Sequence, residues 1–211
     1  MADKARILLV GAGGHARACI DLIEREGRFA IAGLVGCEGE VGKTVLGYPV
    51  LGTDVDLPAL FGSYHHFLNA VGQIKTPELR MRLFYLLEQN GCDLPVIVSP
   101  CAYVSPHATL GAGTIVMPGA VVNAGAVVGR NCIINSQSLV EHDAKIGDHC
   151  HIATAAVVNG GVQIGSGTFI GSGSCVRQDT EIGDLCLIGM GQRVLTNCSA
   201  GTHVPPLKQR S

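Results

Sequence analysis

Paired cysteines are missing from this sequence, since its nine cysteines include no Cys-x-x-Cys motif. Without that spacing, the cysteines are expected to be reduced, small buried hydrophobic residues rather than metal ligands or disulfides. Basic runs are absent as well and the formal net charge is −2, so no surface favours nucleic acid. The longest apolar run near the N-terminus, residues 7–10, is too short for a signal peptide or a membrane span, so we expect a cytoplasmic protein.

Residues 98–199 instead contain a regular repeat of period six. Neither an amphipathic helix nor an alternating strand has this period, whereas a short fixed repeat is typical of a solenoid. A large aliphatic residue returns at every sixth position, seventeen times without a miss: Val98, Val104, Leu110, Val116, Val122, Val128, Ile134, Val140, Ile146, Ile152, Val158, Ile164, Ile170, Val176, Ile182, Ile188 and Val194.

Each hexad has a second small residue, usually four places after the aliphatic one, which implies two inward positions. We predict a short strand and a corner per hexad, three faces and 18 residues per coil, and therefore about six coils. Glycine is frequent between the inward positions, which indicates corners with positive φ. These glycines are Gly111, Gly113, Gly119, Gly125, Gly129, Gly147, Gly165, Gly167, Gly171, Gly183 and Gly189.

The N-terminal region begins with a strand, a glycine turn and a helix. Residues 6–10 are of the buried-strand type, and a helix is expected over residues 17–26. Free backbone N–H groups at such a turn favour a phosphate ligand. Gly11, Gly13 and Ala16 also fit the dinucleotide fingerprint, which is weak evidence by itself.

A nicotinamide cofactor would require an acidic residue after the second strand, residues 29–35. The strand is followed by Gly36 and Cys37 instead, although Glu38 leaves this cofactor open. The sequence therefore argues against NAD without excluding it.

The remaining N-terminal elements complete a small α/β domain. Residues 47–52 form a short strand or turn, residues 65–71 a third parallel strand, and a helix lies between Thr76 and Gly91. Alternating strands and helices predict a Rossmann-like domain over residues 1–92. The all-β repeat domain then covers residues 93–211.

Three stretches carry a family resemblance: the opening Ile-Leu-Leu-Val-Gly-Ala-Gly-Gly-His-Ala, Gly-Tyr-Pro-Val-Leu-Gly, and hexads with Glu-His-Asp. The chain resembles the sialic acid O-acetyltransferase-like group of hexapeptide-repeat acyltransferases, above all the nucleotide-4-amino-sugar N-acetyltransferases of the bacillosamine and perosamine type. This resemblance implies a left-handed parallel β-helix that uses acetyl-CoA. It also implies a nucleotide sugar bound in the N-terminal domain by Gly11, Gly13, Gly14 and His15.

Two positions depart from the family pattern. Gly36 and Cys37 stand where acidic residues are common, and Gly72-Gln73 stands where Gly-Asn or Gly-Asp is usual. Both leave the nucleotide open. The tail, residues 201–206, also differs from the family's usual Gly-Val-Pro-Ala-Lys. In the family this segment helps to cover coenzyme A, and the sequence leaves open whether this tail does the same.

The strongest catalytic candidate is His142, within Glu141-His142-Asp143 and two residues after an inward aliphatic, so it should face outward. An adjacent carboxylate can fix the imidazole tautomer and stabilise the imidazolium. By resemblance, His142 is the general base and Asp143 its partner. The alternative is a solvated polar corner.

His151 follows His142 by half a coil, so one chain should keep the two apart. In a homotrimer they can meet between subunits, where we expect the active sites. Resemblance places His151 near the acetyl-CoA thioester and Asn135 near the acceptor sugar. Gly160, one coil after His142, should offer its N–H to the thioester oxygen, unless it is only a corner glycine. His107, His149 and His203 are expected at the surface, and His65 and His66 at a strand edge.

The predicted function is acetyl transfer from acetyl-CoA to the 4-amino group of a nucleotide-linked sugar. O-acetylation of a sialic-acid-like sugar and a non-enzymatic solenoid binding module are the alternatives. A γ-type carbonic anhydrase needs three zinc-binding histidines and a His-x-x-x-x-His pair. Here Gly147 stands at that distance after His142, so no metal is expected.

Overall fold

The computed structural model describes residues 4–206, which divide into two units. The first comprises the described residues up to Gly72 together with Glu78–Ile97, and the second comprises Gln73–Pro77 and the described residues from Val98 onward. The division lies a few residues beyond the 92/93 boundary expected from the sequence. It also assigns a short segment between two N-terminal elements, residues 73–77, to the second unit.

The first unit is a mixed α/β sheet with helices, as the strand and helix patterns predict. Its sheet has the order β3-β4-β2-β1-β5, in which β3 is antiparallel to β4 and the other pairs are parallel. Short 3-10 turns occupy Glu38–Glu40 and Asp54–Asp56. Its elements are β1 (Ala5–Val10), α1 (Gly14–Glu26), β2 (Phe29–Val35), β3 (Thr44–Val45), β4 (Tyr48–Gly52), α2 (Leu57–Leu60), β5 (His66–Asn69) and α3 (Glu78–Gln89).

Strand β1 is central because it pairs with β2 on one side and β5 on the other. A central parallel strand is covered on both faces, which explains its continuous aliphatic run; the side chains of Ile7, Leu8 and Leu9 are fully buried. Helix α1 begins at Gly14, three residues before the expected start, and ends at Glu26; Gly27, with a φ of 79°, then forms a left-handed cap.

The second unit confirms the hexad prediction. Each of the seventeen aliphatic residues is the second residue of a two-residue strand, and an eighteenth strand follows. The strands are β6 (Ile97–Val98), β7 (Tyr103–Val104), β8 (Thr109–Leu110), β9 (Ile115–Val116), β10 (Val121–Val122), β11 (Val127–Val128), β12 (Ile133–Ile134), β13 (Leu139–Val140), β14 (Lys145–Ile146), β15 (His151–Ile152), β16 (Val157–Val158), β17 (Gln163–Ile164), β18 (Phe169–Ile170), β19 (Cys175–Val176), β20 (Glu181–Ile182), β21 (Leu187–Ile188), β22 (Arg193–Val194) and β23 (His203–Val204).

These strands form three parallel sheets in which every third strand pairs, as an 18-residue coil requires, except that β23 pairs with β21. The orders are β22-β19-β16-β13-β10-β7, β20-β17-β14-β11-β8 and β23-β21-β18-β15-β12-β9-β6. Aliphatic residues from successive coils stack into one continuous core. Among residues 4–206, no helix is long and apolar enough to cross a membrane.

The small inward position holds a ladder of hydroxyl and thiol groups. The side chain of Thr114 donates to the carbonyl of Gly129, and the Thr114 oxygen accepts the N–H of Cys132, one coil later. Cys132 repeats this pattern, because its thiol donates to Gly147 and its sulfur accepts the N–H of Cys150. Three of the inward cysteines, Cys132, Cys150 and Cys186, are buried and donate to backbone carbonyls in this way, whereas Cys198 is half-buried.

The expectation that all the hexad glycines have positive φ is wrong for seven of them. Positive φ occurs at the third residue after each aliphatic one from Leu110 to Ile188, and that position includes non-glycine residues such as Asp143 and His149. The seven glycines directly after an aliphatic residue serve close packing instead. A methyl group on Gly111, for example, would lie 2.5 Å from the carbonyl carbon of Gly129 in the next coil. The seven are Gly111, Gly129, Gly147, Gly165, Gly171, Gly183 and Gly189.

Candidate active site

His142 and Asp143 form an exposed pair at the corner after β13. The Nδ1 atom of His142 lies 2.9 Å from Oδ2 of Asp143, and their side chains are 67% and 73% exposed. Asp143 has a φ of 61°, so its carboxylate is presented from a left-handed corner residue. Because a carboxylate oxygen accepts, Nδ1 carries the proton in the neutral ring and Nε2 keeps the lone pair.

The surroundings of His142 favour its protonated form. The hydrogen bond to Asp143 is the main cause that raises the pKa of His142 above its ordinary value; slight burial opposes this effect. The negative charges of Asp143, Glu141 and Asp179 raise the pKa further. Glu141 is itself held in place, since its Oε2 accepts from the amide of Asn123 at 2.9 Å and from the backbone N–H of His142 at 3.2 Å.

Gly160 lies directly against the imidazole, one coil along the β-helix. A methyl group on Gly160 would be 2.8 Å from both Cε1 and Nε2 of His142. Within residues 4–206 the N–H of Gly160 donates no hydrogen bond. A base lone pair and an open backbone donor therefore lie side by side, which is the pair of groups that acyl transfer needs.

His151 and Asn135 lie together on another sheet. His151 is in β15 and only 7% exposed, and its Nε2 lies 3.0 Å from the amide nitrogen of Asn135. Its Nδ1 lies 2.6 Å from the backbone oxygen of Gln73. One chain thus joins His151 to Asn135 and leaves His142 on a different sheet, as the half-coil offset predicts. Sequence reasoning missed Gln73 as a partner, because it lies 78 residues away in the chain.

The glycine turn of the first unit leads into α1 as predicted. Gly11 has a φ of 121°, and a methyl group there would lie 2.9 Å from the backbone of Ala70 after β5. Gly13 and Gly14 face open space, and the first turn of α1 has no acidic residue to repel an anion. His15 lies next to the end of β5, since a methyl group on Gly72 would be 3.4 Å from the Cβ of His15.

The segment after β2 contains two acidic residues, although neither Gly36 nor Cys37 at the strand end is acidic. Glu38 and Glu40 lie in a 3-10 turn directly after the strand. Oε2 of Glu40 accepts the N–H of Cys37 at 2.8 Å, so one carboxylate is used within its own turn. The pattern of a strand end that presents an acidic residue directly to a ribose is not found at Gly36 and Cys37.

A cleft of about 580 Å³ lies on the outer face formed by β16, β19 and β22. Arg177 and Arg193 line it together with Asn159, Cys175 and Asp179. In the described part of the chain neither arginine has an ion pair, so both guanidinium groups are available to an anion. Sequence reasoning missed this cleft; its signal in the sequence was two arginines in neighbouring coils, Arg177 directly after β19 and Arg193 in β22.

The histidines outside these sites differ in burial and contacts. The expectation that His149 lies at the surface is wrong: it is 1% exposed, and its Nδ1 lies 2.9 Å from the amide nitrogen of Asn131. His107 and His203 are exposed as predicted. His66 begins the edge strand β5 and contacts the Asp93 carboxylate at 2.6 Å. Within residues 4–206, no group of three or more metal-ligating side chains is found.

Comparisons with known proteins agree with both units. Residues 6–84 match the PglD N-terminal domain, and residues 107–142 and 125–160 match the bacterial transferase hexapeptide of six repeats. A histidine-to-asparagine mutant of perosamine N-acetyltransferase from Caulobacter crescentus, in complex with CoA and GDP-perosamine, is 30% identical with a TM-score of 0.88, over 96% of this chain and 93% of that one.

Two further structures extend the comparison. The acetyltransferase domain of PglB from Neisseria gonorrhoeae, in complex with acetyl coenzyme A, is 31% identical with a TM-score of 0.88, over 98% of this chain and 99% of that one. WeeI from Acinetobacter baumannii shares the fold, with a TM-score of 0.74 at 22% identity over 95% and 97% of the two chains. The resemblance seen in the sequence is confirmed, and the chain belongs to the hexapeptide-repeat acetyltransferases that carry a PglD-type N-terminal domain.

Proposed function

We propose that this acetyltransferase moves the acetyl group of acetyl-CoA to the 4-amino group of a nucleotide-linked amino sugar. The observation that carries the proposal is the exposed His142–Asp143 pair, with the open N–H of Gly160 against the imidazole. Two relatives that align with this chain over more than 90% of both lengths bind such ligands: the perosamine N-acetyltransferase is in complex with CoA and GDP-perosamine, and the PglB acetyltransferase domain with acetyl coenzyme A. These ligands supply the two reactants of such a transfer.

In this mechanism Nε2 of His142 takes a proton from the sugar amine as its nitrogen attacks the thioester carbon. The oxyanion of the tetrahedral intermediate accepts the N–H of Gly160. When the intermediate collapses, the C–S bond breaks and the imidazolium returns its proton to the coenzyme A sulfur. Asp143 holds Nδ1–H and stabilises the imidazolium between these two proton transfers.

Two anion-binding features suit the two phosphate-bearing substrates. The cleft with Arg177 and Arg193 lies on the sheet that contains β13, the strand before His142. Its centre is about two strand spacings, or about 10 Å, from β13 along the axis of the β-helix. We assign the phosphates of coenzyme A to this cleft. The open turn at Gly13 and Gly14 suits the phosphates of the nucleotide sugar.

We further propose a homotrimer with its active sites between subunits. His142 of one chain would meet Asn135 and His151 of the next, because a single chain holds them on different sheets. Packing one face against a different face of a neighbour closes a three-fold ring and forms three equivalent sites.

A thiol-release assay tests the reaction. Purified protein is incubated with acetyl-CoA and with UDP-, GDP- or dTDP-linked 4-amino sugars, each beside the matching 4-hydroxy sugar as control. Turnover that needs the amine supports the proposal. Turnover of a sialic acid without an amine would indicate O-acetylation, and no turnover with any acceptor would favour a binding module.

The role of the base is tested by His142→Ala. We expect kcat to fall about 10² to 10⁴-fold, the usual contribution of a general base. Acetyl-CoA binding and the size of the oligomer should be unchanged, because the side chain is exposed. Turnover close to that of the wild type would remove His142 from the mechanism.

A further inference from the structure

The corner of the β-helix that carries His142 differs from a neighbouring corner at the residue directly after the inward aliphatic one. After β8, β11, β14, β17 and β20 that residue is glycine in every coil, where successive coils approach closely. After five successive strands of the sheet that contains β13 it is polar, so a column of polar side chains runs along the corner of His142. The members of this polar column are Ser105, Asn123, Glu141, Asn159 and Arg177.

Glu141 is the member of the polar column that contacts His142. Its Oε2 accepts the backbone N–H of His142 at 3.2 Å and the side-chain amide of Asn123, one coil earlier, at 2.9 Å. Within residues 4–206 the side-chain amide of Asn123 donates to no other group. Asn123 and Glu141 are both half-buried, whereas His142 is exposed. One carboxylate oxygen therefore joins the preceding coil to the backbone of His142.

The backbone of His142 is thus restrained from both neighbouring coils. Its carbonyl accepts the N–H of Gly161 in the next coil at 3.0 Å, and its N–H is tied through Glu141 to Asn123 in the preceding coil. Asp143 is on the same corner as His142, so its contact fixes the ring only relative to that corner. The contact between Asn123 and Glu141 is what connects the N–H side of the corner to the rest of the β-helix.

We propose that Asn123 and Glu141 are positioning residues that hold the backbone of His142 so that its Nε2 stays beside the N–H of Gly160. Asn123 acts through Glu141 and touches no reactant. The proposal rests on the proposed function for the role of His142 as the base. Because the pair controls the position of the base and not the affinity for substrates, its loss should lower kcat and leave both KM values unchanged.

Three variants, measured at a pH well above the pKa of His142, separate positioning from charge. Glu141→Gln keeps an oxygen that can accept from both donors, so kcat should stay within about twofold of the wild-type value. Asn123→Ala removes one donor and Glu141→Ala removes the acceptor. Each should lower kcat about 10-fold, because a small displacement of a base is costly. A loss in Glu141→Gln as large as that in Glu141→Ala would overturn the proposal.

The double variant shows whether Asn123 works through Glu141. If it does, Asn123→Ala combined with Glu141→Ala should be no slower than Glu141→Ala alone. Losses that multiply to about 100-fold in the double variant would contradict this coupling.

Ser105→Ala is the matched control within the polar column. The Oγ of Ser105 accepts the N–H of His107 at 3.2 Å, at a corner that carries no catalytic residue, so its kcat should equal that of the wild type. A loss in Ser105→Ala as large as that in Asn123→Ala would show that the column only stabilises the fold and would overturn the proposal.

The pKa of His142 reports the position of Glu141 without any turnover, which separates this proposal from the proposed function. The hydrogen bond to Asp143 raises this pKa most, and the charges of Asp143, Glu141 and Asp179 raise it further. Without the amide of Asn123, the Glu141 carboxylate is free to turn toward solvent, where its charge is screened. Asn123→Ala should therefore lower the pKa of His142, whereas the same substitution in Glu141→Gln should lower it no further.

The measurement is a ¹H–¹³C titration of full-length protein labelled at histidine, with the His142 signal assigned from its loss in His142→Ala. An unchanged pKa in Asn123→Ala, or a further fall in the Glu141→Gln background, would overturn the positioning role even if the enzyme acetylates amino sugars as proposed. The expected shifts in a protein that shows no turnover would support the contact and remove only the proposed reaction.

Discussion

At the scale of single residues, the position of the His142 ring depends on the absence of a side chain at Gly160. A methyl group at Gly160 would stand 2.8 Å from two ring atoms, so the imidazole has to move when a Cβ is added. The ring is exposed and can swing away at little cost in stability, but a base displaced by about 1 Å can lose 10²-fold in rate.

We therefore predict that Gly160→Ala lowers kcat about 10 to 100-fold while the thermal unfolding midpoint changes little. Ser172→Ala is the matched control, because Ser172 occupies the same hexad position at another corner. Steady-state kinetics and thermal melts measure the two effects. A loss of stability as large as the loss of rate would show a structural role for Gly160 alone.

Asp143 should control the pH dependence of the reaction. A general base is active when deprotonated, so kcat/KM should fall as the pH drops through the pKa of His142, which Asp143 raises above its ordinary value of about 6.5. Asp143→Asn keeps the shape of the side chain but removes its charge. The pKa of His142 then decreases, and the acid limb of the kcat/KM profile should move to lower pH.

Glu141→Gln serves as the comparison for this prediction. Glu141 raises the pKa of His142 by its charge alone, whereas Asp143 also forms a hydrogen bond with the ring. In Glu141→Gln the acid limb of the kcat/KM profile should therefore also move to lower pH, but by less than in Asp143→Asn. An acid limb that stays in place in Asp143→Asn would show that another group titrates in this range.

At the scale of elements, the repeat could be predicted because one inward aliphatic residue per hexad is needed wherever the solenoid continues. All seventeen aliphatic residues end a strand for this reason. The corners could not be predicted from glycine alone, because Asp143 and His149 adopt the same left-handed conformation. Corner residues normally face solvent, which is why the burial of His149 was missed. The contact of Gln73 with His151 was not predicted either, because it joins residues that are 78 positions apart in the chain.

The ladder of hydroxyl and thiol groups at the small inward position leads to a stability prediction for Cys150. Burial raises the pKa of Cys150 well above its ordinary range, so its thiol stays protonated and donates to the carbonyl of Gly165 at 3.1 Å. Thr168 fills the next position of the same column and donates in the same way to Gly183. A hydroxyl should therefore replace the Cys150 thiol, whereas an apolar group of the same shape should not.

Cys150→Thr and Cys150→Val differ in the hydroxyl group, which can donate to Gly165 and accept the backbone N–H of Thr168 as the thiol does. We expect Cys150→Thr to unfold near the wild-type urea midpoint, and Cys150→Val to lose about 1–3 kcal/mol of unfolding free energy, because the Gly165 carbonyl is left unpaired in the core. Equal stability of the two variants would show that the column is held by packing alone.

At the scale of the whole molecule, the separation of His142 from Asn135 makes a single chain insufficient for the proposed chemistry. His142 follows β13, whereas Asn135 follows β12 in a different sheet. A trimer of 21.9 kDa chains has a mass of 3 × 21.9, or about 66 kDa, which analytical ultracentrifugation can measure. Mass alone does not show that sites are shared, so the decisive test is a mixture of two defective chains.

Differently tagged His142→Ala and Asn135→Asp chains are co-expressed, and mixed trimers are isolated over both tags. Going round a three-fold ring, every mixed trimer has one interface at which a chain with intact His142 meets a chain with intact Asn135. Activity should thus recover to about a third of the wild-type value per trimer, well above either parent. If each chain instead completed its own site, every site would carry one of the two substitutions, and mixing would give no more than the average of the parents.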